Sequence, residues 1–211
     1  MLEAFLAAWL GTVAAQAAPG PNLLAVASTG LGQGRRAALL VVLGVASGVF
    51  IWVAAVATGL GALIAAFPSL LLAMKFLGGG YLVFLSIKAL RTALRGGQGA
   101  IKACGSPLSD VAAWRHGLLV VLSNPKAALM WAAVAAFLFG HGLAPAQVLA
   151  FAPIGACSAV AVYGTYAMLF SSGFAVRAYA RAARWFEAVF GAVFGVLGGA
   201  LLADGIRSLR P

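Results

Sequence analysis

Two short clusters in an otherwise apolar chain hold the side chains and backbone groups best suited to chemistry. The first is Pro19-Gly20-Pro21-Asn22, preceded by Gln16; the second is Asn124-Pro125-Lys126. A proline inside a helix removes a backbone donor and clashes with the carbonyl four residues back. Helices carrying these motifs must therefore break, freeing the carbonyls of Ala15 and Ala17 in the first and that of Val121 in the second. Pro21 and Pro125 also suit the first turn of a new helix. Helix starts attract anions, and freed carbonyls attract cations. A site with both polarities is suited to a zwitterion. The candidate substrate-binding residues are Gln16, Pro19, Gly20, Pro21, Asn22, Asn124, Pro125 and Lys126, the uncharged polar ones serving either substrate or a neighbouring helix.

Ionisable groups inside an apolar run are costly and mark functional positions. Lys126 adjoins the second break, where it is placed to face a substrate carboxylate. Lys75 is expected to snorkel from one end of its helix. Glu187 is expected in a first-turn ion pair with Arg184, and Asp204 in a pair with Arg207. This leaves no carboxylate at mid-depth, so a proton-coupled mechanism would need Lys126 itself, the substrate's own titration, or Glu187 reached through a cavity. The shortage of acid also disfavours a dicationic substrate. No catalytic residues stand out: His116 and His141 lie near opposite ends of helices, neither with a Ser or Cys partner. With two Cys and two His in the chain, neither a metal site nor a disulfide scaffold is expected, and no cofactor is implied. Ser47 and Ser158 are expected to bond back to their own helices.

The elements that hold these residues follow from composition. The chain has 211 residues, 64% of them hydrophobic and 9% charged, with a mean hydropathy of +1.04. Soluble domains are about a quarter charged, so a water-facing surface and intrinsic disorder are both excluded. The net charge of +10 comes in bursts between long uncharged runs. That is the pattern of membrane topology rather than of nucleic-acid binding. A spanning helix needs about 20 apolar residues, and six are expected, at about 4–28, 38–65, 69–90, 116–138, 147–172 and 185–206. Breaks fall at Gly32-Gln33-Gly34, Pro68, the loop 96–109 and residues 140–145. The start, Met-Leu-Glu, lacks the positive segment of a signal peptide. Arg35 and Arg36, then Lys88, Arg91, Arg95, Lys102 and Arg115, then Arg177, Arg181 and Arg184 mark alternate connections. The positive-inside rule makes these cytoplasmic and puts both termini outside. Arg207 and Arg210 resist that assignment, and a five-span chain with a re-entrant segment stays open. Trp9, Trp114 and Trp185 read as interface anchors.

The halves of the chain resemble one another. Residues 76–91 align with 195–210, matching Gly79 with Gly198, Gly80 with Gly199 and Arg91 with Arg210; Gly44 and Ser47 align with Gly155 and Ser158, and Pro21 with Pro125. Three spans per half is an odd number, so the second half must insert upside down. The expected fold is an all-α polytopic membrane protein of six transmembrane helices in two inverted three-helix repeats, with helices 1 and 4 broken at the proline motifs. It forms one domain: repeat one at about 1–95, a cytoplasmic linker at about 92–114, and repeat two at about 110–211. Such repeats place a substrate between them near mid-membrane. The four-residue spacing of Gly191, Gly195 and Gly199 marks a close-packing face, inside the protomer or at a homodimer contact.

Pro19-Gly20-Pro21-Asn22, Gly30-Leu-Gly-Gln-Gly-Arg-Arg36 and Gly44-Val-Ala-Ser-Gly48 resemble the opening of the lysine exporter (LysE/RhtB-type) family of amino-acid exporters. Leu77-Gly-Gly-Gly-Tyr-Leu82, Ile87-Lys-Ala-Leu-Arg91 and Asn124-Pro125-Lys126-Ala127 resemble its later blocks, in order along essentially the whole chain. The resemblance implies a small inner-membrane efflux carrier for amino acids or their derivatives, driven by protons, and leaves the substrate open. The other classes fit less well. A thiol-redox carrier needs cysteines on the broken helices, whereas Cys104 falls in a loop and Cys157 in span 5. A metal exporter needs ligand clusters, and a membrane assembly or packing protein leaves the matched breaks unexplained.

Overall fold

The computed structural model describes residues 2–60, 66–67, 69–95, 107–171 and 173–209, and every regular element among them is helical. In chain order they are α1 (Leu2–Ala17), α2 (Pro21–Ala55, passing into a π-helical turn at Val56–Leu60), α3 (Ser69–Leu94) and α4 (Asp110–Leu122). Then come α5 (Pro125–Gly140), α6 (Pro145–Leu149), α7 (Phe151–Phe170) and α8 (Gly173–Arg207). Four segments are long and apolar enough to cross a bilayer: Pro21–Gly59, Lys75–Leu94, Pro145–Phe170 and Glu187–Arg207. The pair α4 and α5, bent by 60° at its break, makes a fifth if counted as one. In the most apolar 18-residue stretch of each of the four, only 28% to 44% of the residues are buried. The rest contribute to an apolar exterior of the kind a bilayer covers.

The long α2 is not one rod. Gly34 has φ +83° and ψ −178°, a left-handed value that L side chains resist. A Cβ added at Gly30 would lie 3.5 Å from the Cβ of Ala38, whereas residues eight apart on a straight helix are separated by about 12 Å. The chain therefore doubles back within α2, at the Gly32-Gln33-Gly34 break that the sequence predicts.

Both proline motifs interrupt helices. Gly20 is the N-cap of α2, in extended backbone (φ 172°, ψ −175°), with Pro21 opening the first turn. Asn124 is the N-cap of α5, its side chain accepting from the Lys126 N–H, with Pro125 opening the first turn. At 16 residues α1 is about 24 Å long, and at 13 residues α4 is about 20 Å. Neither spans a hydrocarbon core of about 30 Å alone; each needs the helix beyond its break.

Close packing at glycines fixes the neighbours. An added Cβ at Gly44 would run into the Trp114 carbonyl, and one at Gly117 into that of Val41. Farther along, Trp52 reaches Val121, so the second half of α2 runs parallel to α4. The first half of α2 runs parallel to α7, with Asn22 beside Tyr163 and Gly30 beside Phe170 and Ser171. Helices α3 and α8 are antiparallel. Lys75 meets Asp204 and Ser208 at one end, Gly191 meets Leu90 toward the other, and between them Gly79 touches Gly198. A Cβ at Gly198 would lie 2.8 Å from the Gly79 carbonyl. Gly191 and Gly195 pack on Leu90 and Ser86 of α3, but Gly199 has nothing within 4 Å. Most of the expected small-residue face is thus used inside the protomer.

Several expectations change here. Arg177, Arg181 and Arg184 lie on the helical N-terminal part of α8 rather than in a loop. Lys75 does not snorkel: it is 6% exposed and pairs with Asp204 at 2.7 Å, with Ser208 at 3.1 Å. Asp204 therefore pairs with Lys75, not Arg207, because the antiparallel crossing of α3 and α8 brings those ends together. Ser47 and Ser158 bond back to the carbonyls of Leu43 and Gly155. Trp9, Trp114 and Trp185 are exposed. Cys104, Lys102, Pro68 and Arg210 lie outside the described residues.

Candidate functional site

The two breaks meet. The Asn124 amide donates to Asn22 Oδ1 at 3.1 Å, and the Asn22 amide donates to the Tyr163 hydroxyl at 3.2 Å. Asn124 Oδ1 in turn accepts from the Lys126 N–H at 3.0 Å. Asn22, Asn124 and Tyr163 are all buried, so this chain of bonds ties α2, α5 and α7 together within the protein. The starts of α2 and α5 converge on it, each bringing the positive end of its dipole; at α5 the N–H groups of Lys126, Ala127 and Ala128 are already held by Asn124.

The carbonyls freed at the breaks are re-satisfied by side chains, as a low-dielectric setting demands. The Tyr166 hydroxyl donates to the Ala17 carbonyl at 2.8 Å. The Trp52 indole donates to Val121 at 3.1 Å. Lys126 Nζ donates to the carbonyls of Ala18 and Pro19, both at 3.3 Å, and sits 5.7 Å from the centre of the Phe194 ring. An ammonium has three donors, so one is left beyond those two carbonyls. Gly20 lets the lysine pass: a Cβ there would touch Nζ at 3.4 Å and Cδ at 3.6 Å. Gln16 is 3% exposed; its amide donates to the Gly155 carbonyl at 3.0 Å, while its Oε1 is buried with no hydrogen-bond partner in the protein.

Three cavities meet at this level. A vestibule of about 490 Å³ is lined by both breaks, by Tyr81, Phe84 and Lys88 of α3, and by Glu187, Phe190 and Phe194 of α8. A pocket of about 20 Å³, room for one water, lies among Gln16, Asn22, Asn124, Lys126, Trp131 and Tyr163. Beyond it a largely apolar cavity of about 280 Å³ reaches His141 and Asp204. Lys126 lines the first two, Met130 the last two, and Phe194 both large ones. The large cavities are thus divided by a thin septum of Lys126, Phe194 and Met130.

All eight sequence candidates lie at or beside this junction, Gln16 lining the small pocket. Sequence reasoning missed Tyr163, Tyr166, Trp52 and Phe194. The two tyrosines, three residues apart and so on one face of α7, were the available signal. Glu187 is also placed differently: α8 begins well before it, so it is not in a first turn. It is 5% exposed and lines the vestibule, while Arg184 stands over the Trp185 ring at 5.2 Å.

Fold and site together define a multi-pass helical membrane protein with a polar junction between two broken helices, and cavities on either side of it. The chain belongs to the LysE type translocator family, which it matches over residues 13–205. The family is one of transporters and not of enzymes. The threonine efflux protein of Salmonella typhi is 29% identical over 202 residues, covering 94% of this chain and 97% of that protein. That of Escherichia coli (strain K12) is 28% identical over the same length. The leucine efflux protein of Enterobacter sp. (strain 638) is 33% identical over 113 residues, 54% of this chain and 53% of that protein. No solved structure matches the chain significantly.

Proposed function

We propose that this chain is a secondary active exporter of amino acids across the bacterial inner membrane, a proton-coupled antiporter working by alternating access. The observation that carries the proposal is the meeting of two proline-broken helices at Asn22 and Asn124, with Lys126 holding the freed carbonyls between two cavities. Two helix starts and an ammonium with a spare donor favour a carboxylate. A substrate carboxylate arriving at Lys126 would compete for the contacts to Ala18 and Pro19, linking occupancy to the geometry of the break. A neutral amino acid suits the aromatic vestibule, and it is the chemistry named in the threonine and leucine efflux relatives.

In this reading the chain crosses six times as two inverted repeats, the first crossing being α1 with residues 21–34. The reversal at Gly34, the 60° bend between α4 and α5, and the mutual contact of Gly79 and Gly198 support it. Elements related by a two-fold axis cross at equivalent residues. The test is counterflow of labelled threonine and leucine in proteoliposomes. The intact chain should exchange at least one of them, and Pro21→Ala should abolish exchange while inserting and staying monodisperse. Unchanged exchange in Pro21→Ala would remove the proposed site.

A further inference from the structure

Three side chains around the small pocket keep hydrogen-bonding capacity that the rest of the protein does not use. Gln16 of α1 spends its amide on the Gly155 carbonyl, and its Oε1 has no partner among the described residues. The indole N–H of Trp131, on α5, is likewise buried and unpartnered among them. The hydroxyl of Tyr163, on α7, accepts from the Asn22 amide, which leaves its own proton to donate. Each of the three residues is at most 4% exposed, and all line the pocket of about 20 Å³. Gly155 brings two of them together. Its carbonyl takes the Gln16 amide, and its missing side chain admits the Trp131 ring, whose Cη2 would lie 2.7 Å from an added Cβ. Polar groups buried without partners are costly, and a group left so in a native fold calls for an explanation. One acceptor and two donors are the complement of a hydroxyl, which gives one proton and accepts at two lone pairs. An ammonium has no lone pair and a methyl has neither, so neither matches.

We infer that Gln16, Trp131 and Tyr163 form a subsite that reads a hydroxyl, and that this carrier selects amino acids bearing a hydroxyl on the β-carbon. The inference rests on the amino-acid exporter reading and names its substrate class. Lys126 and Asn124 line both the pocket and the vestibule. A substrate whose carboxylate reaches Lys126 therefore has its β-substituent beside the pocket. A hydroxyl there donates to Gln16 Oε1 and accepts from Trp131 and Tyr163. The space is that of one water, which suits a hydroxyl and is too small for a longer side chain. A water can satisfy the same groups when no substrate is bound. A hydroxyl that replaces it keeps those bonds, whereas a methyl displaces it and loses them. Threonine and valine share one shape and differ only in this group, so the subsite separates them where packing cannot.

The experiment measures counterflow of labelled threonine, valine and leucine in proteoliposomes, each over a range of concentrations. In the intact chain threonine should be exchanged at least about tenfold more efficiently than valine, because the isostere leaves buried polar groups unpaired. That comparison needs no variant to fold. Gln16→Met and Tyr163→Phe, both close in volume to the residue replaced, should bring the threonine-to-valine ratio toward one, chiefly by weakening threonine. A purely structural role for these residues would lower all three amino acids alike and leave the ratio unchanged. That result would overturn the inference, as would equal efficiency of threonine and valine in the intact chain. Exchange of valine or leucine in preference to threonine would also overturn it, while the exporter reading stands. If the intact chain exchanges none of the three, the exporter reading itself fails and takes this inference with it.

Discussion

At the scale of single residues, the site depends on one cation doing two jobs. Lys126 holds the carbonyls of Ala18 and Pro19 and keeps a donor toward the vestibule. Lys126→Met keeps the length and apolar stem but removes every donor, leaving two carbonyls unsatisfied. Transport should vanish, and the detergent-solubilised protein should melt at lower temperature. Lys126→Arg keeps the charge in a planar fork and should retain stability better than transport, since the fork does not reproduce a compact ammonium. Equal transport by all three proteins in counterflow would refute the assignment. Tyr166→Phe tests the other clamp. It removes only the hydroxyl that reaches Ala17, so a loss of about 0.6 kcal/mol in stability is expected, the average for hydrogen bonds between membrane helices, and no more than about 1.7 kcal/mol. A calorimetric or fluorescence melt reads it. The residues of the site were legible where backbone chemistry forces an outcome: a proline must free carbonyls and a helix start must offer N–H groups. Which side chains answer those carbonyls was not legible. Tyr166, Trp52 and Lys126 come from sequence-distant helices, and one sequence carries no record of which helix faces meet.

At the scale of elements, glycines set how closely helices approach, and their environments separate two neighbours that the sequence makes look alike. Gly198 touches the Gly79 carbonyl across the α3–α8 crossing, while Gly199 has nothing within 4 Å. Gly198→Leu should therefore prevent that crossing and abolish monodisperse protein, whereas Gly199→Leu should be tolerated and transport near normally. Size-exclusion profiles of the two variants give the answer, and equal behaviour would refute the packing described. The crossing also explains why charge placement was misread from sequence. A linear reading gives Lys75 and Asp204 local solutions, snorkelling for one and Arg207 for the other, because local partners are all that it offers. The antiparallel contact supplies a distant partner, and burial of Lys75 at 6% exposure makes that pair matter. The exposed pair of Arg36 and Asp110 at 2.5 Å, by contrast, should contribute about 0–1 kcal/mol. Helix identities and the breaks at Gly34, Pro21 and Pro125 were legible from punctuation alone. The helical run through Arg177, Arg181 and Arg184 was not, because a charged helical extension and a basic loop share one composition.

At the scale of the whole molecule, the contacts sort the chain into two ends. Lys75 near Gly140, with Asp204 and Ser208, lies at one end; Arg36 with Asp110, and Gln33 with Leu108, lie at the other. The second end carries the basic connection that includes Arg35 and Arg36, and Lys88, Arg91 and Arg95 follow at the corresponding end of α3. On the proposed topology the positive-inside rule puts this end in the cytoplasm; the vestibule at Lys88 would then open to the cytoplasm and the cavity at His141 and Asp204 would serve the outside. The proposed exporter would load from this side, to which Lys88, Arg91 and Arg95 are assigned. The proposed topology puts residue 209 outside despite Arg207, and with both termini on one side it requires an even number of crossings. Single cysteines at exposed positions in a chain with Cys104 and Cys157 replaced decide the matter. Ala146→Cys and Leu209→Cys should react with a membrane-impermeant maleimide on intact cells, and Arg95→Cys only after permeabilisation. Labelling of position 209 together with position 95 would mean five crossings and dismantle the inverted repeat. Labelling of 95 alone on intact cells would turn the carrier around, and with it the direction of transport.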